Sequence, residues 1–282
     1  MVNFIEVKQV DLGEGRTAKL ADPSGYFSDR HDWLALPFVV RHLACCMAPA
    51  VLDGRVPQAE LEKLLEYGGI VSSGVKKPDT TQFVVGKVLF QDLTGNAMMS
   101  DLMTIPEVLG GLGGNPEALK PQLEVELVID HSVKVFSSGA ENSLVENMDA
   151  EFKTNRRRFA VFKGAKQTGL LSTVVPPGKA IVHQANMEYL NKGYIITKGG
   201  FIVPYSVFGT DSHTTMVNAI GGLGYGVGGV EAVGPIYGQP ATIAYPTVVG
   251  VSLTGELSPG VAANDVALFI TNFLRAKKVT DK

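Results

Sequence analysis

The sequence has little cysteine, no long apolar run and no excess of positive charge, and each shortage excludes a class of protein. Its two cysteines, Cys45 and Cys46, are adjacent, which excludes a disulfide framework and does not match the spaced cysteine patterns that hold metal clusters. No apolar run reaches the roughly 18 residues of a membrane span. The net charge of −3 provides no basic field that would attract nucleic acid or anionic lipid.

The N-terminus and the composition indicate an ordinary globular protein. The first residues have neither a secretory nor a transit pattern, so we expect a cytoplasmic protein with no membrane segment. Apolar residues make up 45% of the 282 residues and charged residues 19%, which is typical of a soluble α/β protein with one large or two smaller domains. Cys45 and Cys46 lie in an apolar stretch of helical pattern, where we interpret them as small buried hydrophobic residues.

Short apolar runs of strand length alternate with helical patterns along most of the chain. We interpret five runs as strands, at 84–90, 125–129, 180–182, 206–209 and 247–251. Helical patterns occupy 34–47, 57–67, 142–166, 214–222 and 231–237, whereas 1–30 shows no clear period and is expected to form an irregular arm. The alternation predicts a three-layer α/β/α fold with a mostly parallel sheet between helices.

Polar residues follow four of these apolar runs directly. They are Gln91-Asp92, Asp130-His131-Ser132, His183-Gln184 and Asp211-Ser212-His213. Because ligands bind outside the carboxyl ends of strands in open α/β sheets, the pattern predicts one polar, titratable site built from four loops. One such motif alone means little, since Asp211 or Ser212 could cap a helix beginning near Thr214. Three of the five histidines fall at these ends, which favours a shared site; His31 and His42 do not.

Two further patterns favour a structural interpretation. The glycine-rich run at 221–229 contains Gly-x-Gly-x-x-Gly spacings, but a helical pattern precedes it where a dinucleotide fingerprint requires a strand. We therefore expect close backbone packing there. The basic run at 156–158 lies in a helical pattern with nearby acidic residues, and we interpret it as a solvated helix face.

The motifs at the strand ends resemble those of the aconitase family. The strings are FQDLTG at 90–95, VIDHS at 128–132, VHQAN at 182–186, GTDSHTTM at 209–216 and GYGVGGVEA at 224–232. The resemblance covers 34–279 and is closest to the cytosolic aconitase, or iron-regulatory-protein-like, branch. It implies an aconitase-like α/β domain over 1–247 and the start of a second, truncated domain over 248–282.

The resemblance also implies a reaction and roles for seven residues. Aconitases interconvert citrate and isocitrate through cis-aconitate, with a [4Fe–4S] cluster held by three cysteines. The implied catalytic residues are Asp130 and His131, which would protonate the leaving hydroxyl, His183, which would contact bound water or hydroxyl, and Asp211 with His213 as a second pair. Gln91 and Ser212 would contact a substrate carboxylate.

In the family, the cluster cysteines, a serine base and the arginines that bind substrate carboxylates lie further along the chain. We therefore expect the complete enzyme to bind the [4Fe–4S] cluster, this chain alone to bind none and to be inactive, and the remaining domains or a partner subunit to supply what is missing.

Three alternatives stay open. The chain could be a catalytically dead module that binds a carboxylate, a partner protein or RNA, although the acidic net charge disfavours RNA. It could belong to a hydro-lyase that acts on a related di- or tricarboxylate. A metal could also be bound directly by His131, His183 and His213.

Overall fold

The computed structural model describes residues 4–67, 79–179, 181–185 and 187–279. In these ranges the strands are β1 (Glu6–Gly13), β2 (Arg16–Asp22), β3 (Thr80–Phe83), β4 (Lys87–Gln91), β5 (Glu124–Val128), β6 (Thr173–Val175), β7 (Tyr194–Ile196), β8 (Ile202–Pro204), β9 (Ser206–Gly209), β10 (Leu223–Gly226) and β11 (Ala241–Ala244). The α-helices are α1 (Arg30–Ala35), α2 (Phe38–Leu52), α3 (Gln58–Tyr67), α4 (Asp92–Gly111), α5 (Ser143–Thr154), α6 (Arg156–Gln167), α7 (Val182–Ala185), α8 (Met187–Leu190), α9 (Val233–Ile236) and α10 (Ala263–Ala276). Short 3-10 helices span Pro23–Tyr26, Pro116–Leu119 and Thr214–Ile220.

A five-stranded sheet in the order β10-β9-β4-β5-β6 organises the molecule. Every neighbouring pair in it is parallel, so all five carboxyl ends lie along one edge. From β4 the chain proceeds outward through β5 and β6, and it later returns to the other side of β4 with β9 and β10. The strand order therefore reverses between β4 and β9, which is where α/β sheets form their ligand crevice.

Both faces of this sheet are covered, as the continuous apolar strands require. On one face Val88 and Phe90 belong to a core cluster with Met99 of α4 and Phe162 of α6. On the other face Leu89 belongs to a second cluster, which includes residues of α7, α8, β7 and β8. Full burial of each such side chain contributes roughly 1.5–3 kcal/mol. The predicted α/β fold with a parallel sheet between covering layers is confirmed.

The prediction of an irregular N-terminal arm was wrong, because β1 and β2 form an antiparallel hairpin. Its turn has positive φ at Gly13, Glu14 and Gly15 (81°, 53° and 74°). Most residues of β1 are exposed, so the hairpin has no alternation of apolar and polar residues from which a strand could be predicted.

Two predicted strands are absent from the described residues. In the run at 180–182, residue 180 lies outside the described residues and Val182 is the first residue of α7; the third strand is β6 instead. Three apolar residues cannot distinguish a strand from a turn of buried helix. The run at 247–251 pairs with no strand in the described ranges, and its valines are nearly half exposed. The sheet's fifth strand is β10, within the glycine-rich run.

Two predicted helices differ in form. The pattern at 142–166 is two helices, α5 and α6, which meet at Asn155. The pattern at 214–222 is a 3-10 helix that ends at Ile220 and is followed by Gly221 as its C-cap, where φ is 82°.

The C-terminal part is the least buried. Residues 246–262 contain no helix or strand, and α10 has no buried residue. The domain boundary near residue 247 stays a prediction. Among the described helices, none combines the length and apolar character needed to cross a bilayer.

Candidate active site

The loops after β4 and β9 are joined where the strand order reverses. The Thr210 N–H donates to the Leu89 carbonyl at 3.0 Å, and the Gln91 N–H donates to Thr210 Oγ1 at 3.2 Å. These bonds extend the pairing of the two strands by one residue beyond the sheet. They bring the residues that follow Gln91 and those that follow Thr210 to the same point of the edge.

Asp130 and His131 form a tightly oriented pair at the end of β5. Asp130 Oδ1 lies 2.8 Å from His131 Nδ1, and its Oδ2 accepts the Val182 N–H at 2.8 Å. The Asp130 side chain is 1% exposed, whereas His131 is 25% exposed. The contact with Asp130 fixes the orientation of the imidazole, so Nε2 is the ring nitrogen on the side away from Asp130.

Asp211 links two imidazoles at the end of β9. Its Oδ1 lies 3.3 Å from both His131 Nε2 and His213 Nδ1. Asp211 is nearly buried, whereas the His213 side chain is 52% exposed. The 3-10 helix that follows has no side-chain cap, so the alternative in which Asp211 or Ser212 caps it was wrong. The edge therefore carries a chain of four groups, Asp130, His131, Asp211 and His213.

His183 lies near the same carboxylates although it belongs to α7 and follows no strand. The residue is 1% exposed, and neither ring nitrogen has a hydrogen-bond partner within the described part of the chain. Burial lowers the pKa of His183, and the charges of Asp211 and Asp130 oppose this only in part. The site therefore favours a neutral His183 imidazole beside the pair formed by Asp130 and His131.

His131 has the opposite tendency. Burial lowers its pKa, but the hydrogen bond that its ring donates to Asp130 and the charges of Asp130, Asp211 and Asp92 outweigh burial and raise the pKa overall. The folded protein therefore binds the His131 proton more tightly than the unfolded chain does. This contribution to stability is present below the unfolded pKa and is lost as the pH rises through the folded pKa.

We expect the two imidazoles to titrate on opposite sides of the ordinary value of 6.5. An NMR pH titration of the imidazole Cε1–H signals should show His131 above that value and His183 below it. His131→Gln and His183→Gln variants assign the two signals by their disappearance. Titration of both rings together, or in the reverse order, would contradict the arrangement described here.

Gln91 and Ser212 lie beside these groups. The Gln91 side chain caps α4: its Oε1 accepts the N–H of Leu93 at 2.6 Å, and its Nε2 donates to Thr94 Oγ1 at 2.8 Å. Ser212 is exposed next to Asp211. The structure thus brings Asp130, His131, Asp211 and His213 into direct contact and places the other three predicted residues around them.

Asp92 was noted at a strand end but given no role in the site, and Arg158 was missed as a site residue. Asp92 has no exposed surface; its Oδ1 accepts the N–H groups of Asp130 at 3.2 Å and His131 at 2.9 Å, and its Oδ2 lies 3.3 Å from Arg158 Nη1. The interpretation of 156–158 as a solvated face was therefore wrong for Arg158. The position of Asp92 at a strand end was a usable signal, whereas no spacing marked Arg158 among three consecutive arginines.

A direct metal site does not fit these contacts. The ligand atoms of Asp92, Asp130 and His131 lie within 4.8 Å of one another, but each of these side chains is engaged in the hydrogen bonds given above. Among the described residues, the imidazoles of His131, His183 and His213 do not form a group within that distance. The alternative with three histidine ligands is not supported.

The cysteines do not fit an iron–sulfur cluster either. Burial raises the pKa of Cys45 to about 11 and that of Cys46 to about 12, whereas cluster ligands are thiolates. Cys46 Sγ lies 3.7 Å from Ser206 Oγ, at the amino end of β9 and thus at the edge of the sheet opposite the site.

Comparison with known proteins gives a consistent result. The profile of the aconitase family (aconitate hydratase) matches residues 63–282. Aconitate hydratase A of Rickettsia conorii is 45% identical over 208 residues, which are 73% of this chain and 24% of that protein. Aconitate hydratase A of Bacillus subtilis is 39% identical over 251 residues, which are 88% of this chain and 27% of that protein. The chain spans about a quarter of the length of the curated relatives it matches.

Proposed function

The chain belongs to the aconitase family, and on that premise we propose that it is the part of an aconitase-type hydro-lyase that carries the acid which protonates the departing substrate hydroxyl. The contact that carries the proposal is His131 between Asp130 and Asp211, at 2.8 Å and 3.3 Å. An imidazole fixed by one carboxylate and directed at a second is arranged to donate a proton from Nε2.

In dehydration the carbon–oxygen bond of the substrate breaks, and the oxygen leaves with the bonding electron pair. The proton on His131 Nε2 joins the leaving hydroxyl to give water, so the imidazole becomes neutral. A base outside this chain takes the proton from the adjacent carbon, and that bond's electrons form the double bond of the product. In hydration each proton moves in the opposite direction, and His131 regains its charge.

Three features select His131 as this acid from the three nearby histidines. Its pKa is raised, so it carries the proton at neutral pH more readily than a free imidazole does. It is 25% exposed, whereas His183 is buried and kept neutral by burial. Its ring is fixed by a 2.8 Å bond, whereas His213 contacts its carboxylate at 3.3 Å and is largely exposed. His213 and Asp211 form a second pair that can relay the proton towards solvent.

The proposed substrate is a tricarboxylate of the citrate and isocitrate type, with Gln91 and Ser212 at one of its carboxylates. Gln91 would give up its capping bonds to Leu93 and Thr94 in part, since its amide is engaged there in this structure. The [4Fe–4S] cluster, the base and the arginine ligands would come from the remaining domains or a partner subunit. Within this chain, 1–247 would form the first domain and 248–282 the start of the second.

A hybrid enzyme tests the proposal. In it, this chain replaces the aligned 251-residue segment of Bacillus subtilis aconitate hydratase A. We expect the hybrid to hydrate cis-aconitate, measured by the loss of its ultraviolet absorbance. The 282-residue chain alone should show neither hydration nor the visible absorbance of a cluster after anaerobic reconstitution. A folded, cluster-loaded hybrid without activity would contradict the proposed role of this chain. Turnover by the isolated chain would contradict the proposal that the cluster and the base come from elsewhere.

A further inference from the structure

We propose that Asp92 is a positioning residue that sets both the backbone and the charge of the proton donor, with Arg158 as its counter-ion. The inference deepens the proposed function and rests on it only for the consequence in catalysis. The hydrogen bonds of Asp92 go to two backbone N–H groups and to Arg158. Asp92 acts through the peptide groups that carry the pair at Asp130.

The backbone contacts show how this positioning works. One oxygen of Asp92 accepts two successive N–H groups, from Asp130 at 3.2 Å and from His131 at 2.9 Å. Two donors on one carboxylate oxygen fix the direction in which the chain leaves β5. The side chain of His131 leaves the backbone at this point, so the direction of the peptide determines where Nε2 lies relative to Asp211.

Asp92 is well placed to hold this loop rigidly. It is the first residue of α4, whose amino end favours a negative charge, and it has no exposed surface. Its second oxygen lies 3.3 Å from Arg158 on α6. A fully buried carboxylate needs such a cation, because an unpaired buried charge is costly. The same contacts therefore connect α4, α6 and the loop after β5.

The charge of Asp92 has a separate effect from its geometry. Together with Asp130 and Asp211, it favours the protonated form of His131. Asp92→Asn separates the two effects, because the amide oxygen can still accept both N–H groups while the charge is lost. Asp92→Ala removes the acceptor and the charge together. Asp101→Asn is the matched control, since Asp101 is an exposed acid on the same helix.

The experiment measures amide hydrogen exchange and the His131 titration by NMR on the 282-residue chain. We expect Asp92→Ala to accelerate exchange at the amides of residues 130 and 131 roughly tenfold, as the loss of their acceptor requires. Asp92→Asn should preserve most of their protection and lower the His131 pKa. Asp101→Asn should change neither quantity.

Two results would overturn the inference. One is unchanged exchange at both amides in Asp92→Ala. The other is a His131 titration in Asp92→Asn that coincides with that of Asp101→Asn, a comparison that holds even if the alanine variant does not fold. These readouts do not depend on activity. If they change as expected but kcat of the hybrid enzyme carrying Asp92→Asn equals that of its parent, the positioning stands and the assignment of His131 as the acid fails.

Discussion

Replacement of His131 by glutamine is expected to lower kcat of the hybrid enzyme by about 10²–10⁴-fold, the usual contribution of a positioned general acid. Glutamine keeps a polar side chain of similar reach but can neither deliver a proton to the leaving hydroxyl in dehydration nor accept one from water in hydration. KM should change little, because the substrate carboxylates are proposed to bind other residues. Steady-state hydration of cis-aconitate gives both constants.

The pH dependence makes this test sharper. The proposed step needs protonated His131 for dehydration, so dehydration should slow as the pH rises through its raised pKa. The fall in the dehydration rate at high pH should disappear from the pH–rate profile of His131→Gln. His31→Gln serves as the control, because His31 is exposed on α1 and follows no strand of the sheet. If His131→Gln retains kcat within a few-fold of the parent, another group is the acid.

Replacement of Lys87 by methionine is expected to destabilise the 282-residue chain by about 3–5 kcal/mol, which is the cost of breaking a buried ion pair from one side. Lys87 Nζ lies 3.0 Å from Glu126 Oε1 and 3.1 Å from Glu124 Oε2. The side chains of Lys87 and Glu126 are 8% and 11% exposed. Methionine fills the space of the lysine stem but leaves the Glu126 carboxylate buried without its cation.

Urea denaturation followed by circular dichroism measures this loss. The double variant Lys87→Met/Glu126→Met should recover much of it, because no unpaired charge stays buried. Lys8→Met is the control, since the pairs of Lys8 with Glu6 and Asp22 lie at the surface, where water screens them. Equal denaturation midpoints for Lys87→Met and Lys8→Met would show that the buried pair contributes little.

The loss at Lys87 should also depend on pH in a defined direction. Burial raises the pKa of Glu126, against the opposing effect of Lys87. Without the lysine this pKa rises further, so the folded variant binds a proton that the unfolded chain releases. Stability of Lys87→Met is therefore greatest below the unfolded pKa of Glu126 and falls as the pH rises through the folded value.

The parallel sheet and its active edge could be predicted because both leave local signals. The runs at 84–90 and 125–129 contain all but one residue of β4 and β5, and the run at 206–209 contains all of β9, since strands buried on both faces need consecutive apolar residues. The polar residues directly after them then mark the carboxyl edge. The contact of His131 with Asp211 follows from this placement, although the two residues come from different strands.

Other features leave no such signal. In the hairpin, β1 is mostly exposed and β2 buries only two alanines, Ala18 and Ala21, so neither strand has the alternation of large apolar residues that predicts a strand. The partner of Asp92 is one of three adjacent arginines, and only the rotation of α6 against α4 selects Arg158. His183 reaches the site from a helix, a geometry that the apolar residues before it could not distinguish from a strand.

The pairing of β4 with β9 also affects how the protein is made. The bond from the Gly86 N–H to Ser206 Oγ, at the start of this pairing, joins groups separated by 120 residues. A ribosome adding about 5–20 residues per second needs roughly 6–24 s to cover that distance. During this time the backbone N–H and C=O groups on one side of β4 have no partner strand, like those of an exposed sheet edge. The nascent chain therefore carries His131 for several seconds before Asp211 is synthesised, and it depends on protection from wrong strand pairing in that interval.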